Sequence, residues 1–346
     1  MCNLAGYIGN RRAAPILIEM IQKQAGIAGG YYTGITTYHQ GQFHTVKIMG
    51  DVDKFIAETD AMNLPGNCGI IHSRSRSGGD ERWGHPFISN SGDISLIANG
   101  AKVKYESVCD DQKAATFLYE KGVRFDTEYP YEEKIKAHPV LPNGNRIHDT
   151  ELICQLTDYW QKTENLSTAA AMEKAVLQVP MEAVFLAMNR NDGEAISFAK
   201  YNMPLTVGRT EEEVFLSSIA MAIPTDRDFL SMNEVPESSS GTITLEGTTI
   251  HRFRSVLPMG RMEPQFVHDG YEIVLDLLKE KGPCFVGVLN NGVRGMWGEQ
   301  VDLRYPLTYS ILTKLNEEGR LEIVKRVEPG VREDLTVTQI LFKLKQ

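Results

Sequence analysis

Between Thr150 and Leu177 the chain carries two helical periods back to back, and on both sides of them it alternates like β-strand. That order most restricts the fold. A regular βαβα alternation would call for a parallel sheet, whereas strands, a helical pair and strands again call for antiparallel sheets with helices laid against them. Upstream, Leu4 to Ile8, Tyr31 to Tyr38, Gln42 to Met49, Cys68 to Ser73 and Ile94 to Ala98 read as strands, and Ala14 to Gln24 as a helix. Downstream, Met181 to Asn189, Glu194 to Lys200 and Val214 to Ser217 return to strand, with Asn191-Asp192-Gly193 as a hairpin turn. The expected class is therefore α+β, a layered sandwich.

Gly241 to Phe253 reads as a further hairpin, and the loop Val256 to Pro264 separates two expected domains, 2–255 and 265–346. In the second, Gly270 to Lys281 and Leu307 to Glu318 are helical by period. Leu321 to Val327 and Thr336 to Leu344 alternate around Pro329-Gly330. Helices followed by a hairpin make a winged-helix-like α+β module. From Gln265 onward eleven Lys/Arg stand against twelve Asp/Glu, which is not the footprint of a DNA reader. Contact with protein, either a second copy in a homodimer or a separate subunit, is expected of it instead. Met296, Trp297 and Tyr305 read as loop residues that either form contact surface or fill the local core.

Across its 346 residues the chain is 42% hydrophobic and 23% charged, enough to bury a large core in water. A formal charge of −9 argues against nucleic-acid and anionic-membrane partners. No apolar run approaches the ~20 residues of a membrane span, and no charged-then-apolar leader is visible, so a cytoplasmic location is expected. Cys2, Cys68, Cys109, Cys154 and Cys284 are odd in number and scattered, as reduced thiols are. There is no GxGxxG after a strand, no Walker-type loop and no tight His ligand spacing. Neither cofactor nor metal is expected.

Cys2 follows the initiator methionine directly. Aminopeptidase removal of Met1 would make it the first residue, with a thiol and a free α-amine on one carbon. An α-amine titrates near pKa ~7.7–8.0, against ~10.4 for lysine, so one residue would supply nucleophile and general base.

Other chemistry-bearing runs follow in order: Gly69-Ile70-Ile71-His72-Ser73-Arg74-Ser75-Arg76-Ser77-Gly78-Gly79, then His85-Pro86-Phe87, Ile97-Ala98-Asn99-Gly100 and His148-Asp149-Thr150-Glu151. Phe198-Ala199-Lys200-Tyr201-Asn202-Met203-Pro204-Leu205-Thr206-Val207-Gly208 and Val214-Phe215-Leu216-Ser217-Ser218 come later. In order and spacing these resemble the glutaminase domain of the class II glutamine amidotransferases, above all that of the sugar-phosphate amidotransferases. That family's runs read C-G-I-x-G-Y-x-G, G-x-x-H-T-R-W-A-T-H-G, N-x-H-P, x-x-x-N-G and S-D-T-E.

The resemblance implies an N-terminal-nucleophile (Ntn) hydrolase fold, a four-layer αββα sandwich. It implies that Cys2 attacks the side-chain amide of glutamine and that Asn99 and Gly100 form the oxyanion hole. Arg74 would clamp the α-carboxylate, Asp149 would hold the α-ammonium, and Ser77 would keep a hydroxyl in the pocket. The Arg74 to Asp80 stretch would close over substrate, while His72 and His85 read as structural. Departures are visible. Asn3 stands where the family has Gly, crowding the nucleophile's neighbour. Ser75 replaces a loop Trp and Gly78 a His. Asp126 to Arg146 is an insertion placed to reshape the pocket mouth. No sugar-isomerase part is recognisable. The resemblance thus implies a glutaminase delivering ammonia to an acceptor on a partner protein. Two readings stand beside it: an amidohydrolase of another γ-glutamyl or amide substrate, and a glutamine-binding scaffold or sensor without turnover.

Overall fold

The computed structural model describes residues 2–76, 78–332 and 334–345. Strand β1 (Asn3–Gly9) leads to helix α1 (Ala13–Gln24), the hairpin β2 (Tyr32–His39) and β3 (Gln42–Met49), and a short helix α2 (Val52–Glu58). Next come β4 (Cys68–Arg74), β5 (Phe87–Ile88) and β6 (Ile94–Ala101), then α3 (Asp111–Glu120), α4 (Asp149–Glu164) and α5 (Thr168–Gln178). Strands β7 (Glu182–Asn189), β8 (Ile196–Lys200), β9 (Thr206–Arg209), β10 (Glu213–Ser217), β11 (Ser231–Glu234), β12 (Ser239–Ile243) and β13 (Thr248–Arg252) follow. The chain ends with α6 (Pro264–Lys281), β14 (Cys284–Phe285), α7 (Val286–Val293), α8 (Arg304–Glu317), β15 (Leu321–Pro329) and β16 (Thr336–Leu344).

Two antiparallel sheets form the centre, ordered β11-β9-β10-β1-β4-β2-β3 and β13-β12-β8-β7-β6-β5. Strand alternation decides what lies between them. Leu4 and Ile8 of β1, Cys68 and Ile70 of β4, and Ile97 of β6 share one core with Val184, Leu186 and Ile196 of the second sheet. The intervening Ala5, Tyr7 and Ile71 pack outward against α1 and α2. Leu96 and Ala98 face α4 and α5 on the other side. Helix, sheet, sheet and helix therefore stack as four layers, as expected. Continuing the same period of two places Cys2, His72, Arg74 and Asn99 on the faces that look into the sandwich, at one end of it.

The helical pair is terminated by local chemistry. Ser167 accepts from the Ala170 N–H to cap α5, and α4 stops at Asn165 in the left-handed region, φ 51°. Helices α2, α3 and α7 are not among the elements expected from periodicity. The first and last are short, α7 contains Gly287 and Gly292, and α3 buries only Ala114, Ala115 and Leu118.

At the C-terminus β14, β16 and β15 form a third, antiparallel sheet. Val274, Leu278, Leu289, Leu307, Leu312 and Phe342 gather in a core that also takes in Ile27 and Ile219 from the preceding part. Trp297 belongs to this core. Its indole N–H donates to the Arg261 carbonyl at 2.9 Å and its ring meets Phe266 edge-on at 5.4 Å, so it is not a contact surface. Among the described residues no helix is long and apolar enough to cross a membrane, and no cluster of His, Cys, Asp and Glu suits a metal ion.

Candidate active site

Cys2 sits at the mouth-end of β1, beside the end of β4, because the antiparallel register pairs Asn3 with Ser73. Its backbone nitrogen donates to Asn99 Oδ1 at 3.0 Å, a bond that spans the gap between the two sheets. The Ser75 N–H points at its Sγ from 3.4 Å. A cavity of about 350 Å³ opens beside the thiol, within the size range of small-ligand pockets. Cys2, Arg74, Ser75, Gly100, Lys102, His138 and Asp149 all line it.

The thiol is buried, which by itself would push its pKa up. His72 beside it and the Ser75 N–H outweigh that burial and hold it at about 6. The tautomer of His72 follows from its other contact. Nε2 lies 2.8 Å from the Ala98 carbonyl, which can only accept, so Nε2 carries the hydrogen. Nδ1 is buried and has no hydrogen-bond partner among the described residues. Read from the sequence His72 is structural, whereas in the fold it is the largest influence lowering the Cys2 thiol's pKa. Its signal was its place two residues before Arg74, on the same face of β4. His85 Nδ1 accepts from the Ala98 N–H at 3.2 Å, burial drives its pKa well down, and the residue also lines the cavity beside Cys2.

The other cysteines are not tuned in this way. Burial raises the Cys68 and Cys154 thiols, and Cys109 is pushed up to about 12. Alkylation by iodoacetamide at pH 7 is accordingly expected at Cys2 first. Its rate should climb roughly tenfold per pH unit below 6 and flatten above, since the thiolate is the reacting form. Peptide mapping checks this; a midpoint near the free-thiol value of ~8.5 would contradict the lowered pKa.

Asn99 and Gly100 lie inside β6, not in a turn. Asn99 is fully buried between cavity-lining Ala98 and Gly100, and its Nδ2 has no hydrogen-bond partner among the described residues. Gly100 pairs with Ala183 across β6 and β7, where an added Cβ would fall 2.1 Å from the Glu182 carbonyl oxygen. Only glycine lets the two strands meet there.

Arg74 is buried, with its guanidinium 4.6 Å from the Tyr32 ring and 5.8 Å from that of Trp83, and it donates to the Gly78 carbonyl at 2.9 Å. The Tyr32 hydroxyl donates to the Gly79 carbonyl at 3.0 Å, fastening the same loop. Ser77 lies outside the described residues. Asn3 does not crowd the nucleophile: its side chain turns away and accepts from the Ala28 and Gly29 N–H groups at 3.3 and 3.1 Å.

Asp149 is the first residue of α4. The cap is His148, whose Nδ1 accepts from the Thr150 N–H at 3.0 Å. Asp149 Oδ2 is 2.9 Å from His138 Nδ1 and Oδ1 is 3.4 Å from Lys102 Nζ. Burial pushes this carboxyl up, but His138 and Lys102 bring it below the ordinary carboxylate range, so it stays ionised. The segment from 126 to 146 is held in place by Glu151, which accepts from the Asp126 and Thr127 N–H groups at 2.7 and 3.0 Å. It brings Ala137 and His138 to the cavity wall.

No family model matches the chain. Over 250 residues, 71% of this chain and 36% of the relative, it is 28% identical to glutamine–fructose-6-phosphate aminotransferase (isomerizing) of Shewanella oneidensis. It is 27% identical over 254 residues to the protein of that name from Listeria innocua serovar 6a, covering 72% of this chain and 37% of the other. The chain thus spans about a third of the length of the curated relatives it matches. Among solved structures, glutamine phosphoribosylpyrophosphate amidotransferase from B. subtilis, complexed with ADP and GMP, superposes with a TM-score of 0.60 at 16% identity. That match covers 81% of this chain and 58% of the other. A structure described as the allosteric regulatory enzyme of purine biosynthesis matches equally, at 15% identity and a TM-score of 0.60. These superpositions show a shared fold.

Proposed function

We propose that this chain, which resembles the class II glutamine amidotransferases in sequence and shares their fold, hydrolyses the side-chain amide of glutamine at Cys2 and supplies ammonia to an acceptor on a partner protein. The observation that carries this is the buried thiol held at about 6 beside a cavity lined by Arg74, Gly100 and Asp149. The Cys2 thiolate attacks the amide carbon, the carbon–nitrogen bond breaks, and ammonia leaves with a proton taken from the enzyme's base. Water then adds to the γ-glutamyl thioester, the carbon–sulfur bond breaks, and glutamate departs. After removal of Met1 the Cys2 nitrogen becomes the α-amine, and Asn99 Oδ1 already holds that atom. Asn99 Nδ2 and the Gly100 N–H are assigned to the oxyanion, and His72 to the thiol proton.

The test is ammonia release from glutamine, combined with intact-mass detection of Met1 loss and of a Cys2 adduct with 6-diazo-5-oxo-norleucine. A processed chain that takes no label and releases no ammonia would leave the scaffold reading in its place. Arg74 is assigned to the substrate carboxylate and Asp149 to the head-group end of the pocket. Arg74→Lys should raise KM by about tenfold to a hundredfold, the worth of roughly 1.5–3 kcal/mol for a charge-assisted bond, with little change in kcat. An unaltered KM would remove Arg74 from the site.

The division into 2–255 and 265–346, and the winged-helix-like reading of the second part, belong to this proposal. The order helix, short strand, two helices and hairpin, with β14 pairing β16, supports it. Glu317, Glu318, Glu322 and Glu328 lie along α8 and β15 and would face phosphates unfavourably, so the module is assigned to protein contact. Light scattering of the full chain should show a dimer, or affinity capture an acceptor subunit. A salt-sensitive complex with duplex DNA is the outcome that would reverse this assignment.

A further inference from the structure

The pocket wall that follows Asn99-Gly100 is held from outside the sandwich. Ala101, Lys102, Val103 and Glu106 line the cavity beside Cys2, and β6 gives way there to a tight turn, Val103–Tyr105. Val103 takes a φ of 34°. A β-branched residue is strained in that region, so the conformation persists only where the surroundings over-determine it. Its side chain is exposed, so core packing is not what holds it. Contacts of the next residues do. Lys104 donates from its ammonium to the Gly298 carbonyl at 3.1 Å and to the Gln300 carbonyl, both in the turn that precedes α8. Its backbone N–H points to Glu182 Oε1 at 3.4 Å. Glu182 pairs with Ala101 across β6 and β7, and its carboxylate is 3.9 Å from the Arg304 guanidinium, both residues being buried. The 298–304 segment is itself fixed: the Val301 N–H donates to the Pro258 carbonyl and the Gly260 N–H to the Val301 carbonyl, each at 2.9 Å, and Asn202 Nδ2 donates to the Asp302 carbonyl at 2.9 Å.

We propose that Lys104 is a positioning residue: through it the 298–304 segment clamps the wall of the amide pocket and keeps Val103 left-handed. Without the clamp Val103 relaxes to negative φ, and Lys102 and Glu106 swing with the chain at the end of the pocket where Asp149 lies. Cys2 at the head of β1, His72 on β4 and Asn99 on β6 stay in place. Binding of glutamine therefore depends on how the C-terminal part is seated, while the reactivity of the thiol does not. This rests on the reading of Cys2 as an amide-attacking nucleophile.

The experiment measures ammonia release from glutamine, and amide hydrogen exchange over 101–106, in the full chain as wild type, Lys104→Met, Lys104→Arg and the double variant Val103→Gly with Lys104→Met. Lys104 is partly exposed, so these variants should fold, with melting temperatures as the control. Lys104→Met keeps an apolar stem and removes both carbonyl bonds. Its KM for glutamine should rise about tenfold with kcat little changed, and exchange over 101–106 should quicken as the strained turn is released. The rate of Cys2 alkylation should stay at the wild-type value. Lys104→Arg should keep the wild-type KM. Glycine adopts positive φ without steric cost, so the double variant should recover most of the lost affinity. An unchanged KM in Lys104→Met overturns the proposal, and so does a double variant as impaired as the single one. A wild type that releases no ammonia and takes no adduct at Cys2 overturns the amidase reading beneath it. The exchange comparison then decides the clamp alone: equal exchange in wild type and Lys104→Met overturns it.

Discussion

Cys2→Ala is expected to lower ammonia release from glutamine by at least ~10⁴-fold, because without a nucleophile the site retains only positioning and oxyanion stabilisation. The loss should fall on kcat. The thiol contributes little volume in a cavity of about 350 Å³, so KM and thermal stability should hardly move. The variant should also lose the adduct with 6-diazo-5-oxo-norleucine, which intact mass resolves. Comparable turnover by Cys2→Ala would mean that the amide is attacked by water or by another group. The structure provides no comparable thiol, since burial raises Cys68 and Cys154 out of reactive range.

Asn99→Ala should cost ~10²–10³ in kcat, the usual penalty for deleting one oxyanion donor, or roughly 3–4 kcal/mol of transition-state stabilisation. Two contacts are lost at once: the unpartnered Nδ2 donor and the Oδ1 that holds the Cys2 nitrogen at 3.0 Å. Asn99→Asp separates them. It keeps an acceptor for the Cys2 nitrogen but puts a negative charge where the oxyanion would develop, so it should be no better than alanine. If Asn99→Asp retained most of the activity, the assignment to oxyanion stabilisation would fail and Asn99 would be a tether for Cys2 alone. Steady-state kinetics on both variants, with melting temperatures as a folding control, settle the point.

How much of this was legible in the sequence depended on whether the signal was local. The helical pair from Asp149 to Gln178 and the strands around it were readable because apolar periods of 3.6 and 2 are written in neighbouring residues. Gly319, closing the helical run Leu307 to Glu318, marked a helix end for the same reason, and it takes a φ of 69° beyond α8. Helix α7 was not legible. Eight residues with two glycines carry too few turns to show a period, and tertiary packing of Val286, Leu289 and Val293 holds them helical. Trp297 left surface and core open, since an aromatic between helices reads alike in both, and only the Arg261 carbonyl beside its N–H places it inside.

The candidate site divides along the same line. Cys2, Arg74, Asn99, Gly100 and Asp149 stood out because each sits in a short run whose order resembles a known family, and strand alternation then turns the Cys2, Arg74 and Asn99 side chains into the sandwich at one end. Asn99 lies 97 residues from Cys2, and their contact required the two sheets to stack in one register. That His72 would tune the thiol, that Glu151 would anchor the segment from 126 to 146, and that Lys102 and His138 would meet Asp149 were decided only in three dimensions. A lysine, a histidine and a glutamate carry no local mark of their partners. Their roles come from charge brought into a buried space, where distance and desolvation fix the protonation state, and sequence spacing sets neither.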